Sequence, residues 1–223
     1  MLQQVGLWMF FGEAGFVYDR RMGELSAFVL AGGQSTRMGT DKALVEFEGM
    51  TLLARALALL STVTTDVRIL GAREKFDQHG AVLEDEFPNH GPLGGIHAGL
   101  RASAADINLI LAVDMPFIDG RFLKYLADEA RKCNAIVTVP RAAGGWQPLC
   151  AVYRRPFADL AESALRQGKN KIDPLFRQIE LRVVEETEMK QQGFSSSMFR
   201  NLNTPGELTE ATGIDRTTEN EQL

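Results

Sequence analysis

Short apolar runs alternate along the chain with segments whose apolar residues recur at helical spacing. Three runs predict strands: SAFVLAG at 26–32 and INLILAV at 107–113 are of the buried type, and DVRILGA at 66–72 is strand-like. Two segments between and after them, TLLARALALLS from Thr51 and DGRFLKYLADEARK from Asp119, place their apolar residues on one helical face. Asp119 is also suited to cap the second helix.

The second half of the chain continues this alternation. AIVTVP and PLCAVYR predict two strands joined by RAAGGWQ, and LRVVEE predicts a late strand. A helix is predicted between Pro156 and Gly168, the usual residues at a helix start and end. Shorter helices are predicted at IDPLFRQI (172–179) and TPGELTEA (204–211). Strands separated by helices predict an α/β fold: a single Rossmann-like three-layer domain with a mostly parallel central sheet and helices on both faces.

The boundaries of this domain follow from where the core pattern starts and stops. We expect one domain over 22–213, because no linker divides the 223 residues. Residues 1–21 are expected to form a poorly ordered extension, and an extra strand packed on the edge of the domain is the alternative. Their apolar patch at 7–11 is far too short to span a membrane. Residues 214–223 form a polar tail.

Composition narrows the class of partner. A formal net charge of −5 argues against nucleic-acid or membrane-surface binding, but a small anionic ligand can still be held by local charge. The two cysteines, Cys133 and Cys150, are not in a CxxC motif and indicate a reducing compartment. We therefore expect a cytoplasmic protein. We also expect it to be a monomer.

The first strand ends in an unusual segment, LAGGQSTRMGTDK (30–42). Gly32 and Gly33 allow backbone amides to approach an anion closely, and Arg37 and Lys42 supply positive charge within ten residues. The segment matches neither the Walker motif nor the dinucleotide fingerprint. From the residues alone, a tight turn with solvated charges and a phosphate-binding loop both fit.

Two further strand ends carry carboxylates, and ligands of such sheets lie beyond the carboxyl ends of the strands. Asp114 follows the run INLILAV, which is apolar except for Asn108, and suits either a turn before Pro116 or a Mg²⁺ ligand, since Mg²⁺ uses one or two carboxylates plus substrate phosphates. Asp85 lies in an EDE cluster that fits a solvated turn or a ligand contact. The glycines of GPLGG (91–95) suit a tight turn or leave room for a flat base.

These motifs together resemble a known family. LAGGQSTRMGTDK matches the nucleotidyltransferase signature LAGGxSxRMGxDK, and GPLGGI, AVDMPFI, QPLCAVY and NLNTP follow in order. The set resembles the molybdenum cofactor guanylyltransferase family, also called molybdopterin-guanine dinucleotide biosynthesis protein A. The resemblance covers roughly residues 25 to 208.

The resemblance implies how a nucleotide is held. Leu30, Ala31 and Gly32 are implied to border the guanine and ribose. The Gly33–Gly39 loop is implied to cover the triphosphate. Asp85, which precedes GPLGG, is implied to contact the nucleotide as well.

It also implies the residues of the reacting centre. Lys42 is implied to contact phosphate oxygens, with Arg37 beside it. Asp114 is implied to hold Mg²⁺ and the nucleotide. Asn201 and Asn203, in NLNTP, are implied to lie on the acceptor side.

The implied reaction joins GMP from GTP to the molybdopterin-bound molybdenum cofactor and releases pyrophosphate. Hand-off of the product to other cofactor-assembly proteins or molybdoenzymes is a further implied interaction. The alternatives are a cytidylyltransferase acting on molybdopterin or another small phosphorylated acceptor, and a nucleotide-binding homologue without catalysis. LAGG, where cytidylyltransferases often have LAAG, favours guanine over cytosine. An oxidoreductase is disfavoured by the missing dinucleotide fingerprint.

Overall fold

A computed structural model of the chain describes residues 25–32 and 41–202. The strands in these residues are β1 (Leu25–Leu30), β2 (Glu46–Phe47), β3 (Met50–Thr51), β4 (Val67–Leu70), β5 (Val82–Leu83), β6 (Ile107–Ala112), β7 (Val137–Ala142), β8 (Gly145–Trp146), β9 (Cys150–Arg154) and β10 (Leu181–Glu185). The α-helices are α1 (Leu52–Ser61), α2 (Arg73–Phe76), α3 (Pro92–Ala102), α4 (Gly120–Arg131), α5 (Phe157–Arg166) and α6 (Glu186–Gln191). Short 3₁₀ turns lie at Lys42–Leu44, Asp77–His79, Asp173–Gln178 and Ser196–Phe199.

Eight of the strands in the described residues form one central sheet. Its order is β10-β7-β9-β6-β1-β4-β5, and the short strand β8 pairs with β7. Strands β5, β4, β1 and β6 are parallel neighbours, as are β7 and β10. Strand β9 runs antiparallel to both of its neighbours, β6 and β7. The prediction of a mostly parallel central sheet is therefore confirmed.

The first strand shows why the fold has three layers. All six of its residues are buried. Ala27 and Val29 join a core that includes residues of α1 and α4, whereas Phe28 and Leu30 join a second core with α3 and α5. Successive side chains of a strand point to opposite faces, so a continuous apolar strand must be covered on both sides. Helices on both faces confirm this part of the prediction.

Side-chain caps set the starts of two predicted helices. Thr51 Oγ1 accepts a hydrogen bond of 3.1 Å from the backbone N–H of Ala54 at the start of α1. Asp119 Oδ1 accepts one of 2.8 Å from the N–H of Arg121 at the start of α4, as predicted. Gly168 follows α5 with a φ of +70°, a conformation that glycine adopts without steric cost.

Several small elements were not predicted from the sequence. Strand β8 lies inside RAAGGWQ and turns back on β7, and β2 and β3 form a separate two-stranded hairpin. The helix predicted over 172–179 is a 3₁₀ turn, Asp173–Gln178.

The predicted helix at 204–211 lies outside the described residues, as do residues 1–24, so the domain boundaries at 22 and 213 stay predictions. Every helix within 25–32 and 41–202 is too short or too polar to cross a bilayer.

Candidate active site

The carboxyl ends of three neighbouring strands are tied together by backbone hydrogen bonds. The N–H groups of Ala31 and Gly32 both donate to the carbonyl of Leu70, each at 3.0 Å. On the other side, the N–H of Val113 donates to the carbonyl of Leu30 at 3.1 Å. The ends of β4, β1 and β6 therefore form one continuous edge, where parallel sheets place their ligands.

A cavity of about 750 Å³ opens over the ends of β1, β4 and β5. This volume falls within the range of small-molecule sites. Leu30 at the end of β1 and the next two residues, Ala31 and Gly32, line it together with Asp85 and Gly95. Leu30, Ala31, Gly32 and Asp85, which the family resemblance implies for nucleotide binding, thus line one cavity. Leu30 and Asp85 are 55 positions apart in the chain.

Gly94 explains part of the GPLGG motif. A Cβ atom at this position would lie 2.1 Å from Asp85 Oδ2 and 2.7 Å from Asp85 Oδ1, so only glycine leaves room for the carboxylate. Gly91, with a φ of +66°, precedes α3 and makes the turn into the helix. Of the two roles expected for these glycines, Gly91 fits the turn, and Gly94 leaves room for a carboxylate instead of a base.

The carboxylate of Asp85 is held in place at the cavity wall. Its Oδ1 accepts a hydrogen bond of 2.7 Å from the N–H of Phe87. Burial raises the pKa of Asp85 above its ordinary value, and the Phe87 N–H opposes that shift. A partly desolvated carboxylate on a cavity wall is suited to accept hydrogen bonds from N–H groups of a ligand.

A second, smaller cavity of about 160 Å³ adjoins the first at Leu30, Ala31 and Gly32. It contains an ion pair between Lys42 Nζ and Asp114 Oδ2 at 3.0 Å. The two side chains are only 16% and 22% exposed. Residues that are 72 positions apart in the chain thus meet at the carboxyl edge of the sheet.

The other carboxylate oxygen of Asp114 has no such partner. Asp114 Oδ1 is buried, and within residues 25–32 and 41–202 no donor reaches it. Leaving a buried charged oxygen unbonded is costly, so this atom is suited to bind a cation or a donor from a ligand. The described part of the chain has no cluster of three His, Cys, Asp or Glu side chains that could hold a metal. A Mg²⁺ ion at Asp114 would therefore also need phosphate oxygens of the substrate.

The carboxyl-terminal described segment lies directly against Asp114. The N–H of Leu202 donates a hydrogen bond of 3.0 Å to the backbone carbonyl of Asp114. Leu202 itself is buried in the core, whereas Asn201 is exposed. Asn201 is thus next in the chain to the residue that is bonded to Asp114. Gly33, Arg37 and Asn203 lie outside the described residues.

One pair in the large cavity was not predicted. Asp41 Oδ1 accepts from the N–H of Ala43 at 3.2 Å and so caps the 3₁₀ turn that begins with Lys42. Asp41 Oδ2 pairs with Lys75 Nζ at 2.9 Å, which raises the pKa of Lys75. Asp41 could have been noticed in the sequence, because it is the aspartate of the DK pair that ends the signature. Nothing in the sequence pointed to Lys75 as its partner.

The parallel sheet, the glycine-ended first strand and the carboxylate–lysine pair define a nucleotidyltransferase-type site. The chain belongs to the family of the MobA-like NTP transferase domain, whose model matches residues 27–189. A relative from Natronomonas pharaonis, named "Probable molybdenum cofactor guanylyltransferase", is 33% identical over 200 residues, which are 85% of this chain and 98% of the relative. The molybdenum cofactor guanylyltransferase of Desulfosudis oleivorans is 32% identical to this chain over 194 residues. The match covers 85% of this chain and 95% of that protein.

A solved structure gives the same picture. The crystal structure of molybdopterin-guanine dinucleotide biosynthesis protein A from Archaeoglobus fulgidus matches with a TM-score of 0.74 and 26% identity. The match covers 84% of this chain and 97% of that one. The family suggested by the sequence motifs is therefore confirmed.

Proposed function

We propose that this chain transfers GMP from GTP to the molybdopterin-bound molybdenum cofactor, forming the guanine dinucleotide cofactor and pyrophosphate. The observation that carries this proposal is the Lys42–Asp114 pair at the border of a nucleotide-sized cavity. Membership of an NTP transferase family and relatives named for guanylyl transfer support it.

The two cavities suggest how GTP lies in the site. The guanine and ribose occupy the large cavity, bordered by Leu30, Ala31 and Gly32, with Asp85 accepting hydrogen bonds from the nucleotide. The α-phosphate then lies at the small cavity, beside Lys42 and Asp114. The Gly33–Gly39 loop, which includes Arg37, covers the remaining phosphates.

The reaction requires little acid–base chemistry. An oxygen of the acceptor phosphate forms a bond to the α-phosphorus of GTP, and the bond from that phosphorus to the β-phosphate oxygen breaks. The acceptor is already an anionic nucleophile, so the difficulty is to bring two anions together and to neutralise the leaving pyrophosphate. Lys42 and Arg37 supply positive charge for this purpose, and the binding surfaces orient the two reactants.

We assign Mg²⁺ to Asp114 Oδ1, the buried oxygen described above. When bound, such an ion neutralises charge on phosphate oxygens. We further assign Asn201 and Asn203 to the acceptor; the hydrogen bond from the N–H of Leu202, the residue between them, to the carbonyl of Asp114 supports this assignment.

We further infer that the protein acts as a monomer in the cytoplasm and passes its product to other cofactor-assembly proteins or molybdoenzymes. Within the described residues, Met50 is the one exposed large hydrophobic side chain, at 43% exposure. The lack of an apolar patch on the surface formed by residues 25–32 and 41–202 supports the monomer.

A panel of the four nucleoside triphosphates tests the proposed function. The protein is incubated with Mg²⁺ and molybdopterin-bound cofactor, and pyrophosphate is measured with and without the acceptor. We expect pyrophosphate only when GTP and the acceptor are both present. Equal release from CTP would support the cytidylyltransferase alternative, and no release from any nucleotide would contradict a catalytic role.

Gly94→Ala tests the position of Asp85. The new Cβ must displace the Asp85 carboxylate, so we expect the KM for GTP to rise roughly tenfold, the scale of one hydrogen bond to a charged group. Gly145→Ala is the matched control, because nothing lies within 4 Å of its Cβ position. An unchanged KM for GTP in a folded Gly94→Ala protein would show that the carboxylate position does not matter for nucleotide binding.

A further inference from the structure

We propose that Arg200 binds the phosphate of the acceptor, as a contact additional to the residues assigned above. This inference rests on the proposed function, since it presupposes an anionic acceptor that reacts at Asp114. It concerns the acceptor alone and predicts no change in nucleotide binding.

Two attachments hold Arg200 beside the Asp114 segment. Along the chain, Arg200 is two residues before Leu202, whose N–H is bonded to the carbonyl of Asp114. Through its side chain, the guanidinium carbon lies 4.5 Å from the ring centroid of Phe117, three residues after Asp114. Both ends of the Arg200 residue are therefore fixed to the segment that carries the proposed metal ligand.

The platform under the guanidinium is itself firmly packed. The Phe117 ring meets the ring of Phe47 edge to face, with centroids 5.5 Å apart. Phe47 is buried in the core, so Phe117 has a fixed neighbour on that side. An arginine stacked on a fixed ring loses little further freedom when it binds a ligand.

The charge of Arg200 is not used within the described part of the chain. Its side chain is exposed, and no carboxylate of residues 25–32 or 41–202 forms a salt bridge with it. Arg55 provides a contrast, because it lies over Phe47 at 5.0 Å but also pairs with Glu48 at 2.6 Å. Arg55 and Arg200 thus contact the neighbouring rings of Phe47 and Phe117. Within the described residues the charge of Arg55 is paired with Glu48, whereas the charge of Arg200 is available for a ligand.

The location selects the acceptor over the nucleotide. The large cavity lies over β1, β4 and β5, whereas Arg200 lies against the segment that follows β6, on the other side of β1 in the sheet. A nucleotide that fills the large cavity leaves this side of Asp114 for the second reactant. A planar guanidinium suits two oxygens of one phosphate, which is the group that must approach the α-phosphorus.

The test compares Arg200→Gln, Arg200→Lys and the matched control Arg55→Gln in steady-state guanylyl transfer. The acceptor is varied at saturating GTP, and GTP is varied at saturating acceptor. For Arg200→Gln we expect the acceptor KM to rise about tenfold, as for one lost hydrogen bond between charged groups, and the GTP KM to stay within twofold of wild type. The acceptor KM of Arg200→Lys should lie between those of wild type and Arg200→Gln. Arg55→Gln should leave the KM for the acceptor and the KM for GTP near wild type.

Binding of the acceptor in the absence of GTP, measured by calorimetry, gives a second readout that does not depend on turnover. An acceptor KM within twofold of wild type in Arg200→Gln would overturn the inference, as would an equal rise in the GTP KM or an equal effect of Arg55→Gln. Failure of the proposed function is distinguishable, because the wild-type protein itself would then show no transfer.

Discussion

Asp114→Asn is expected to keep its fold and to lose about 100-fold in guanylyl transfer, the scale of removing one fixed electrostatic contact to a transition state. The amide has the shape of the carboxylate and can still accept from Lys42, but it lacks the negative charge that suits a cation at Oδ1. The free energy of unfolding should change by no more than about 1 kcal/mol. The measurements are the rate of pyrophosphate release and a thermal unfolding curve.

Asp119→Asn is the matched control for this prediction. Asp119 caps α4 outside the site, and asparagine caps a helix nearly as well as aspartate. The Asp119→Asn variant should therefore keep wild-type activity.

High Mg²⁺ or Mn²⁺ should restore part of the activity of Asp114→Asn. If Asp114→Asn instead unfolds while its folded fraction remains fully active, Asp114 is a structural turn residue.

Lys42→Ala is expected to lose a similar factor, about 100-fold in kcat/KM for GTP. The variant removes the mostly buried charge that pairs with Asp114 and that we place against the phosphates. Because the two side chains are in contact, the double variant Lys42→Ala/Asp114→Asn should lose much less than the product of the two single effects. The measurement is the same pyrophosphate assay with GTP varied.

Lys132→Ala serves as the control for Lys42→Ala, because Lys132 pairs with Glu129 at 2.5 Å on α4, away from the site. Its activity should stay within twofold of wild type. Wild-type turnover in a folded Lys42→Ala protein would make Lys42 a solvated turn residue.

Much of the fold could be predicted because its central strands and main helices have strong local patterns. The run of β6, apolar except for Asn108, needs cover on both faces, and the amphipathic spacing of α4 with its Asp119 cap is typical of a surface helix. The two-residue strands were missed because they are too short to show a period. The reversed direction of β9 follows from the short connection Ala143–Leu149, which is too short for a parallel crossover; connection length, not apolar pattern, carries that information.

The site was predicted in its parts but not in its contacts. The signature pointed to Lys42 and the end of a buried strand pointed to Asp114, but their contact depends on β1 and β6 being neighbours in the sheet. The same holds for Asp85 and Gly94, whose steric relation appears only when α3 packs against the end of β5. Roles that depend on long-range packing cannot be derived from local pattern alone.

Transfer of the GMP group to the acceptor can be followed directly with a phosphorus label. The protein is incubated with Mg²⁺, the molybdopterin-bound cofactor and GTP labelled at either the α- or the γ-phosphorus, and the products are separated. The account predicts that the α-label appears in the acceptor and the γ-label in pyrophosphate. A γ-label in the acceptor, or an α-label that stays in free nucleotide while pyrophosphate is released, would contradict it.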